Sequence, residues 1–169
     1  MSAVETRPFR MNVGIALFNA AGRVLIAHRH RDDGPEIITP GHDWQMPQGG
    51  IDPNEDPYPA AVRELYEETG AKSVSYLGET DWFEYDWPPY HGPPHRLLQW
   101  RGQRQKWFAM RFTGDESEID VVTPRIDDEP EFDTWRWERL DLVPTLIVPF
   151  KRAIYDKVAE AFAGFAKAA

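Results

Sequence analysis

Residues 49–71 read GGIDPNEDPYPAAVRELYEETGA, from Gly49 to Ala71, and this stretch decides how the chain is expected to fold. Glu67 and Glu68 follow Glu64 by three and four residues, so on a helix the three acids share one face. Like charges so close repel one another, and a hard divalent cation, which takes carboxylate oxygens as ligands, would compensate them. The cluster predicts a catalytic Mg²⁺ or Mn²⁺ site. The alternative is a solvated acidic helix face, the usual meaning of clustered charge.

The helix that would carry these acids has a recognisable beginning and end. Pro57 and Pro59 suit a loop that leads into a first helical turn, where a missing N–H costs nothing. Gly70 can adopt the left-handed conformation that ends a helix. Ala61 and Leu65, four residues apart, are expected to face the core while the acids face a cleft.

This arrangement of residues suits metal-assisted hydrolysis. A bound cation would neutralise negative charge on a substrate and lower the pKa of a water molecule, and a nearby carboxylate could accept the proton of that water. Gly49 and Gly50 allow the backbone to approach closely and to turn ahead of the helix. Arg63 stands beside four acids and is expected to pair with one of them.

The spacing of the charged and glycine residues resembles the signature of the Nudix hydrolases at every such position. The matching residues are Gly49, Glu55, Arg63, Glu64, Glu67, Glu68 and Gly70. Ala71 departs from the family, which has a larger aliphatic residue there. The resemblance implies hydrolysis of a nucleoside diphosphate linked to another group, with Mg²⁺ or a substitute such as Mn²⁺. It implies that Glu64, Glu67 and Glu68 bind the metal with the Gly49 carbonyl, and that Arg63 and Glu55 brace the loop against the helix.

Segments outside the signature extend the resemblance from Arg10 to Val158. RMNVGIALFN, WQMPQGGI, QRQKWF, EPEFDTWRW and PFKRAIYDKV look like segments of bacterial family members that act on triphosphorylated RNA ends or on dinucleoside polyphosphates. Residues 29–43 and 87–100 match less closely, and either segment could alter which substrate fits.

The same resemblance implies further site residues. It makes Glu131, in the sequence PEF, an additional metal ligand or base, although an ordinary acid in the acidic run before it is the alternative. It implies that Arg10 and Lys106 grip phosphates, with Arg104 as a further candidate. It implies that Phe150 stacks on a base, whereas the helical spacing of Phe150 also suits a core position.

The rest of the chain is expected to form strands and one more helix. Strands are predicted at residues 12–18, 23–28, 74–85, 106–112 and 134–139, and a helix over 149–167 with Phe150, Ile154, Val158 and Phe162 as its apolar stripe. Residues 29–43 are predicted to be a surface loop and 87–95 an irregular loop. Helices on both sides of a mixed β-sheet make an α/β fold, an α/β/α sandwich, which the resemblance also implies.

Composition limits the possible functions. With 169 residues, the whole chain is expected to be a single domain, residues 1–169. No cysteine is present, so disulfides and thiolate chemistry are excluded. No segment has the character of a signal peptide or a membrane span, so a cytoplasmic protein without a membrane partner is expected. The net charge of −9 argues against coating duplex DNA, but allows binding of one phosphorylated end.

Three functions follow from the sequence. The leading hypothesis is removal of pyrophosphate from the 5′-triphosphate end of RNA, which leaves a monophosphate and begins RNA decay. The alternative within the same chemistry is asymmetric hydrolysis of diadenosine tetra- or pentaphosphate. A nucleotide sensor without catalysis is the third, and the intact carboxylates argue against it. The general base is left open between Glu131 and a signature glutamate. A monomer is expected, and any activating partner is left open.

Overall fold

The computed structural model describes residues 5–123, 125 and 130–168. Within these residues seven strands form one mixed sheet and two α-helices cover it. The strands are β1 (Phe9–Phe18), β2 (Val24–Arg29), β3 (Trp44–Gln45), β4 (Gln48–Gly50), β5 (Val74–Asp86), β6 (Gly102–Phe112) and β7 (Phe132–Glu138). The helices are α1 (Pro57–Thr69) and α2 (Arg152–Phe162). No helix in the described residues is long and apolar enough to cross a bilayer.

The sheet combines one parallel pair with several antiparallel pairs. Strand order is β3-β2-β1-β6-β5, with β4 also paired to β1 and β7 also paired to β2. β1 and β6 run parallel over their length, from Phe9 opposite Gly102 to Phe18 opposite Arg111. The remaining pairs are antiparallel. A parallel pair cannot be joined by a hairpin, so the chain crosses over the sheet between β1 and β6, and α1 lies in this crossover.

Alternating side chains of the strands build two core layers. Phe108 and Met110 of β6 pack on the α1 side, whereas Trp107 and Ala109 pack on the α2 side. The α1 layer includes Val13, Ile15, Leu17, Ala61 and Leu65, and the α2 layer includes Phe18, Ile26, Tyr155, Val158 and Phe162. Because helices cover both faces, the central strand β1 is buried along most of its length. The predicted α/β/α sandwich with a mixed sheet is confirmed.

Helix α1 follows its sequence closely. It begins at Pro57 and ends at Thr69, and Gly70 after it has φ of 78° and donates its N–H to the carbonyl of Tyr66 at 2.8 Å. Ala61 and Leu65 are fully buried, as predicted. Ala71 is also fully buried, so the small residue at this position still contacts the core.

The predicted helix over 149–167 was wrong in its extent. A 3-10 turn at Pro149–Lys151 precedes α2, and a second 3-10 turn at Ala163–Phe165 follows it. The glycine at position 164 weakens helix formation after α2. At the start, the Lys151 side chain is buried in an ion pair with a distant loop, which fixes this turn through tertiary contacts.

Candidate active site

A cleft of about 600 Å³ opens where β4 meets α1. Four of the predicted site acids line it, Glu64, Glu67, Glu68 and Glu131, together with Gly49. The signature helix thus presents its acids to a cavity rather than to open solvent. The cleft gathers residues from both ends of the signature and from the start of β7.

Gly49 lies directly against a carboxylate of the signature helix. β4 pairs with β1 through Gly49 opposite Val13, which holds this backbone against α1. A Cβ added at Gly49 would collide with the carboxylate of Glu64. The Glu64 carboxylate thus occupies the space that a side chain at position 49 would fill, and a larger residue here would displace this acid.

Arg63 ties the loop before α1 to the acids on the helix. Its Nε and Nη2 donate to the two oxygens of Glu55, each at 2.8 Å, and Nη2 also donates to the Gly50 carbonyl at 2.9 Å. Its Nη1 donates to Glu64 at 3.0 Å and to Glu67 at 3.1 Å. The hydrogen bonds from Arg63 lower the pKa of Glu55. The predicted pairing of Arg63 with the acids around it is confirmed, and its fork geometry suits several acceptors at once.

Burial and neighbouring negative charges raise the pKa of three acids in the cleft. Burial raises the pKa of Glu64 to about 7, with a further contribution from Glu67 and an opposing one from Arg63. Burial also raises the pKa of Glu68 well above its ordinary value, and the charges of Glu131 and Glu64 add to the effect. Burial in the cleft raises the pKa of Glu131, against the opposing charge of Arg29.

The donor set fits a hard divalent cation. In the described part of the chain, no three acidic or imidazole side chains stand together as a ready-made coordination set. Glu64 and Glu67 each give one oxygen to Arg63, and Glu68 accepts a hydrogen bond of 3.3 Å from the Gln48 N–H. Buried carboxylates with raised pKa are groups whose ionised form a bound cation would favour. Glu64, Glu67, Glu68, Glu131 and the Gly49 carbonyl therefore stay the predicted ligands.

Arg29 is a site residue that the sequence analysis missed. It is buried at the end of β2, and its Nε lies 3.2 Å from Oε1 of Glu131. Its Nη2 donates to the carbonyls of Glu36 at 2.8 Å and Arg31 at 3.3 Å. The guanidinium of Arg29 thus orients Glu131 and also holds the backbone of the loop that follows β2. The signal for Arg29 in the sequence was its position at the end of a run of mostly apolar strand residues.

The prediction that residues 29–43 form a surface loop is wrong at Glu36, which is only 5% exposed. Its carboxylate lies 2.5 Å from Nζ of Lys151 and accepts hydrogen bonds from Gln103 at 3.1 Å and Tyr85 at 3.3 Å. Asp33 of the same loop contacts His95 at 2.8 Å. The two segments that matched the family least therefore join to form one wall of the cleft.

The structure brings only one of the predicted phosphate-binding residues into the cleft. Arg10 lines it and donates to Gln103 at 3.0 Å. Arg104 and Lys106 do not line it, because Gln103 and Gln105 occupy the strand positions that face Arg10 and its neighbours.

The predicted phosphate ligands on β6 meet acids instead, and the predicted base-stacking ring meets another aromatic. Arg104 lies 3.8 Å from Glu84, and Lys106 lies 2.7 Å from Glu79. Phe150 packs against Tyr85 of the α2 core layer, with ring centres 5.9 Å apart. This contact matches the core alternative, and base stacking by Phe150 stays a prediction.

Comparison with known proteins gives the family. Residues 8–158 match the NUDIX domain, so the chain belongs to the Nudix hydrolase family and is a pyrophosphohydrolase. Proteins named RNA pyrophosphohydrolase are similar to it over nearly their whole length. The protein of Rhodopseudomonas palustris (strain BisB18) is 51% identical over 168 residues, 99% of this chain and 95% of that protein. The protein of Caulobacter vibrioides (strain NA1000 / CB15N) is 50% identical over 169 residues, 99% of this chain and 93% of that protein.

Solved structures share the fold at low identity. A C. elegans Ap4A hydrolase binary complex has a TM-score of 0.58 at 17% identity, covering 90% of this chain and 98% of that one. The MutT protein from Methanosarcina mazei Go1 has a TM-score of 0.61 at 14% identity, covering 94% and 98%. These likenesses establish the α/β sandwich of the family.

Proposed function

We propose that this enzyme removes pyrophosphate from the 5′-triphosphate end of RNA and leaves a 5′-monophosphate. The observation that carries the proposal is a cleft lined by Arg10 together with four carboxylates, three from α1 and one from the residue before β7. The relatives that are about half identical over nearly the full length, and that carry the name RNA pyrophosphohydrolase, support RNA as the substrate. Removal of pyrophosphate exposes the end of an RNA chain, so the reaction fits the first step of RNA decay.

The residues of the cleft have different roles in the proposed reaction. Glu64, Glu67, Glu68, Glu131 and the Gly49 carbonyl would hold divalent cations. Such a cation neutralises the polyphosphate and makes a water molecule more acidic. Arg63 keeps Glu64 and Glu67 in place through its hydrogen bonds to both. Arg10 lies beside the acids, where a guanidinium can bind a phosphate of the incoming triphosphate.

Proton transfer is assigned to a carboxylate of the cleft. Glu68 and Glu131 both have a raised pKa and repel each other, so either can accept the proton of the attacking water. Arg29 orients Glu131 for this role. The water oxygen bonds to phosphorus, the phosphoanhydride bond breaks, and the pyrophosphate departs with the electron pair of that bond.

Several finer points belong to the same proposal. We take Mg²⁺ as the working cation and Mn²⁺ as a substitute, because both accept carboxylate, carbonyl and water oxygens. We place the enzyme in the cytoplasm, where triphosphorylated RNA ends are made, and take the monomer as the active form. An activating partner is left open.

A competition experiment tests the proposal. Purified protein with Mg²⁺ is given 5′-triphosphorylated RNA and diadenosine tetraphosphate, separately and together, and kcat/KM is compared. We expect the RNA to be preferred and its ends to become monophosphorylated. Preference for the dinucleotide would instead establish a dinucleoside polyphosphate hydrolase with the same cleft. Tight nucleotide binding without turnover of any polyphosphate would indicate a sensor.

A further inference from the structure

Glu36 places a buried carboxylate among the residues that line the cleft. This carboxylate lies 2.5 Å from Nζ of Lys151, which is also buried, and 4.0 Å from the guanidinium of Arg29. Separating a buried ion pair is costly, because an uncompensated charge is left behind. The carboxylate of Glu36 is therefore held in one place, and it can hold the groups that bind to it.

One glutamine connects Glu36 with Arg10. Nε2 of Gln103 donates to Oε1 of Glu36 at 3.1 Å, and Oε1 of Gln103 accepts from Nη1 of Arg10 at 3.0 Å. Within the described residues this is the hydrogen bond that the side chain of Arg10 makes, and no carboxylate pairs with it. The Arg10 guanidinium thus keeps its charge for a ligand and is oriented by Gln103, with the ring centre of Trp100 5.6 Å away.

The amides beside this connection are oriented by the groups at its two ends. The indole N–H of Trp107 can only donate, and it donates to Gln105, whose Nε2 donates to Asn12 at 2.9 Å. Asn12 in turn donates to Oε1 of Gln103 at 2.8 Å. At the other end the carboxylate of Glu36 can only accept, so it takes the NH2 group of Gln103. Both ends therefore turn the carbonyl oxygen of Gln103 toward the arginine of the cleft.

We propose that Glu36 is a positioning residue for the reaction, and that its carboxylate, acting through Gln103, holds Arg10 where it binds phosphate. The inference rests on the proposed function, in which Arg10 binds a phosphate of the substrate. The backbone carbonyl of Glu36 also accepts from Arg29 at 2.8 Å, and this contact does not depend on the side chain at position 36. A change of the Glu36 side chain should therefore weaken substrate binding more than it disturbs the orientation of Glu131.

Two variants interrupt the connection at different points. Glu36→Gln keeps the shape of the side chain but introduces an amide that can present either end to Gln103. Gln103→Met removes the connection and leaves the buried pair of Glu36 and Lys151 intact. Thermal unfolding checks that each variant folds. If Glu36→Gln does not fold, Glu36→Gln/Lys151→Met takes its place, because it leaves no ammonium unpaired at this position.

Gln45→Met provides the matched control. Gln45 is a glutamine as buried as Gln103, and it does not line the cleft. Its amide nitrogen has no hydrogen-bond partner in the described part of the chain. The control therefore makes the same change of side chain in the core without touching the connection to Arg10.

We expect Glu36→Gln and Gln103→Met each to raise KM for 5′-triphosphorylated RNA by about 5–20-fold, the effect of a weakened hydrogen bond to a charged group, while kcat changes by less than about 3-fold. In an Arg10→Gln background, the same changes should lower kcat/KM by less than about twofold, because the side chain that they position is absent. Gln45→Met should keep the wild-type KM. A merely structural role would lower the active fraction, and hence kcat, without raising KM.

Two results would overturn the inference. One is a wild-type KM in a folded variant at position 36 or 103. The other is an effect on kcat/KM that is as large in the Arg10→Gln background as in the wild type. Either result leaves RNA hydrolysis by the wild type standing. If the wild type hydrolyses diadenosine tetraphosphate but not the RNA, the proposed function fails, and the same comparison on the dinucleotide still decides whether Glu36 positions Arg10, since both substrates carry a polyphosphate.

Discussion

At the scale of single residues, Arg63 is the first to test because it connects four acceptors. We expect Arg63→Lys to lower kcat by about 10–100-fold, because residues that orient metal ligands have effects of this size. An ammonium cannot reproduce the paired hydrogen bonds to Glu55 or reach the Gly50 carbonyl, Glu64 and Glu67 together. We expect a loss in the free energy of unfolding of about 1–2 kcal/mol.

Steady-state kinetics and urea unfolding measure both effects of Arg63→Lys. The matched control is Arg152→Lys, since Arg152 is an exposed arginine that lies 3.9 Å from a carboxylate on its own helix. If Arg63→Lys behaves like this control in both measurements, Arg63 does not brace the site.

Gly49 carries a second prediction at the same scale. In Gly49→Ala the new Cβ collides with the Glu64 carboxylate, so either the acid or β4 must move. Displacements of about 1 Å at a reaction centre can cost about 100-fold in rate, and we expect kcat to fall by this order. We expect the melting temperature to fall only modestly, since overpacking costs about 1–3 kcal/mol.

Gly164→Ala provides the matched control for Gly49→Ala. A Cβ at position 164 meets nothing within 4 Å, and this glycine lies far along the chain from the cleft residues. The two variants are compared by kcat and by thermal unfolding. Equal kcat values for Gly49→Ala and Gly164→Ala would show that Glu64 needs no close approach to β4.

The residues that could be found from the sequence are those whose partners are local. Glu64, Glu67 and Glu68 lie on one helix, so their spacing alone places them together. Arg29, Glu36 and Lys151 could not be found in this way. Lys151 meets Glu36 across more than half of the chain, and only the packing of α2 against the sheet brings them together.

At the scale of elements, contacts between residues that are distant in the sequence also explain where the strands differ from the predicted ones. The predicted strand at 106–112 extends back to Gly102 in the structure, because β1 pairs with it from Phe9 onward. Gln103 and Gln105 have the polarity of a loop, yet both are buried and hydrogen-bonded to other buried side chains. Periodicity of apolar residues cannot find a strand whose first residues bury polar groups. Strand β2 and helix α1, which bury apolar residues, matched their sequence patterns closely.

His28 links three strands and gives the element-scale prediction. Its ring lies on β2, with Nδ1 2.7 Å from Asp133 of β7 and Nε2 2.9 Å from Asp43, just before β3. Burial alone would lower the pKa of His28, but its hydrogen bonds to Asp133 and Asp43 outweigh burial and raise it. Because the pKa is higher in the folded state, the stabilisation is complete below the unfolded value near 6.5 and is lost as the pH rises through the folded value.

We expect His28→Gln to lower the free energy of unfolding by about 0.5–1 kcal/mol at a pH near 6, where both carboxylates face a charged ring. The difference from the wild type should shrink well above the folded-state pKa. Urea unfolding at the two pH values measures it, with His91→Gln as a control at an exposed histidine. A difference that stays constant with pH would mean that His28 contributes only packing against Trp44, whose ring centre is 5.1 Å away.

At the scale of the whole molecule, the fold holds several acids in a buried cleft, where their ionisation lowers the free energy of unfolding. The packing of α1 and of the segment before β7 brings Glu64, Glu68 and Glu131 into one cleft, where burial raises the pKa of each and nearby carboxylates raise it further. An acid whose folded-state pKa exceeds its unfolded value costs stability as the pH rises above the unfolded value, near 4.3 for glutamate. Repulsion of this kind at a functional site is offset by packing elsewhere, here by the two core layers.

Cation binding should therefore change the stability of the entire chain, and Glu68→Gln tests this. Above neutral pH and without divalent cations, we expect the variant to be at least as stable as the wild type, because a buried charge is removed. With Mg²⁺ at about a hundred times its Kd, the wild type should gain about 2.7 kcal/mol, which raises Tm by about 5–10 °C. Glu68→Gln should gain much less, and a chelator should reverse the wild-type gain. Glu160→Gln, at an exposed glutamate of α2, should respond like the wild type. If Glu68→Gln gains as much as the wild type, Glu68 does not bind the cation, and the ligands must be sought among the other acids of the cleft.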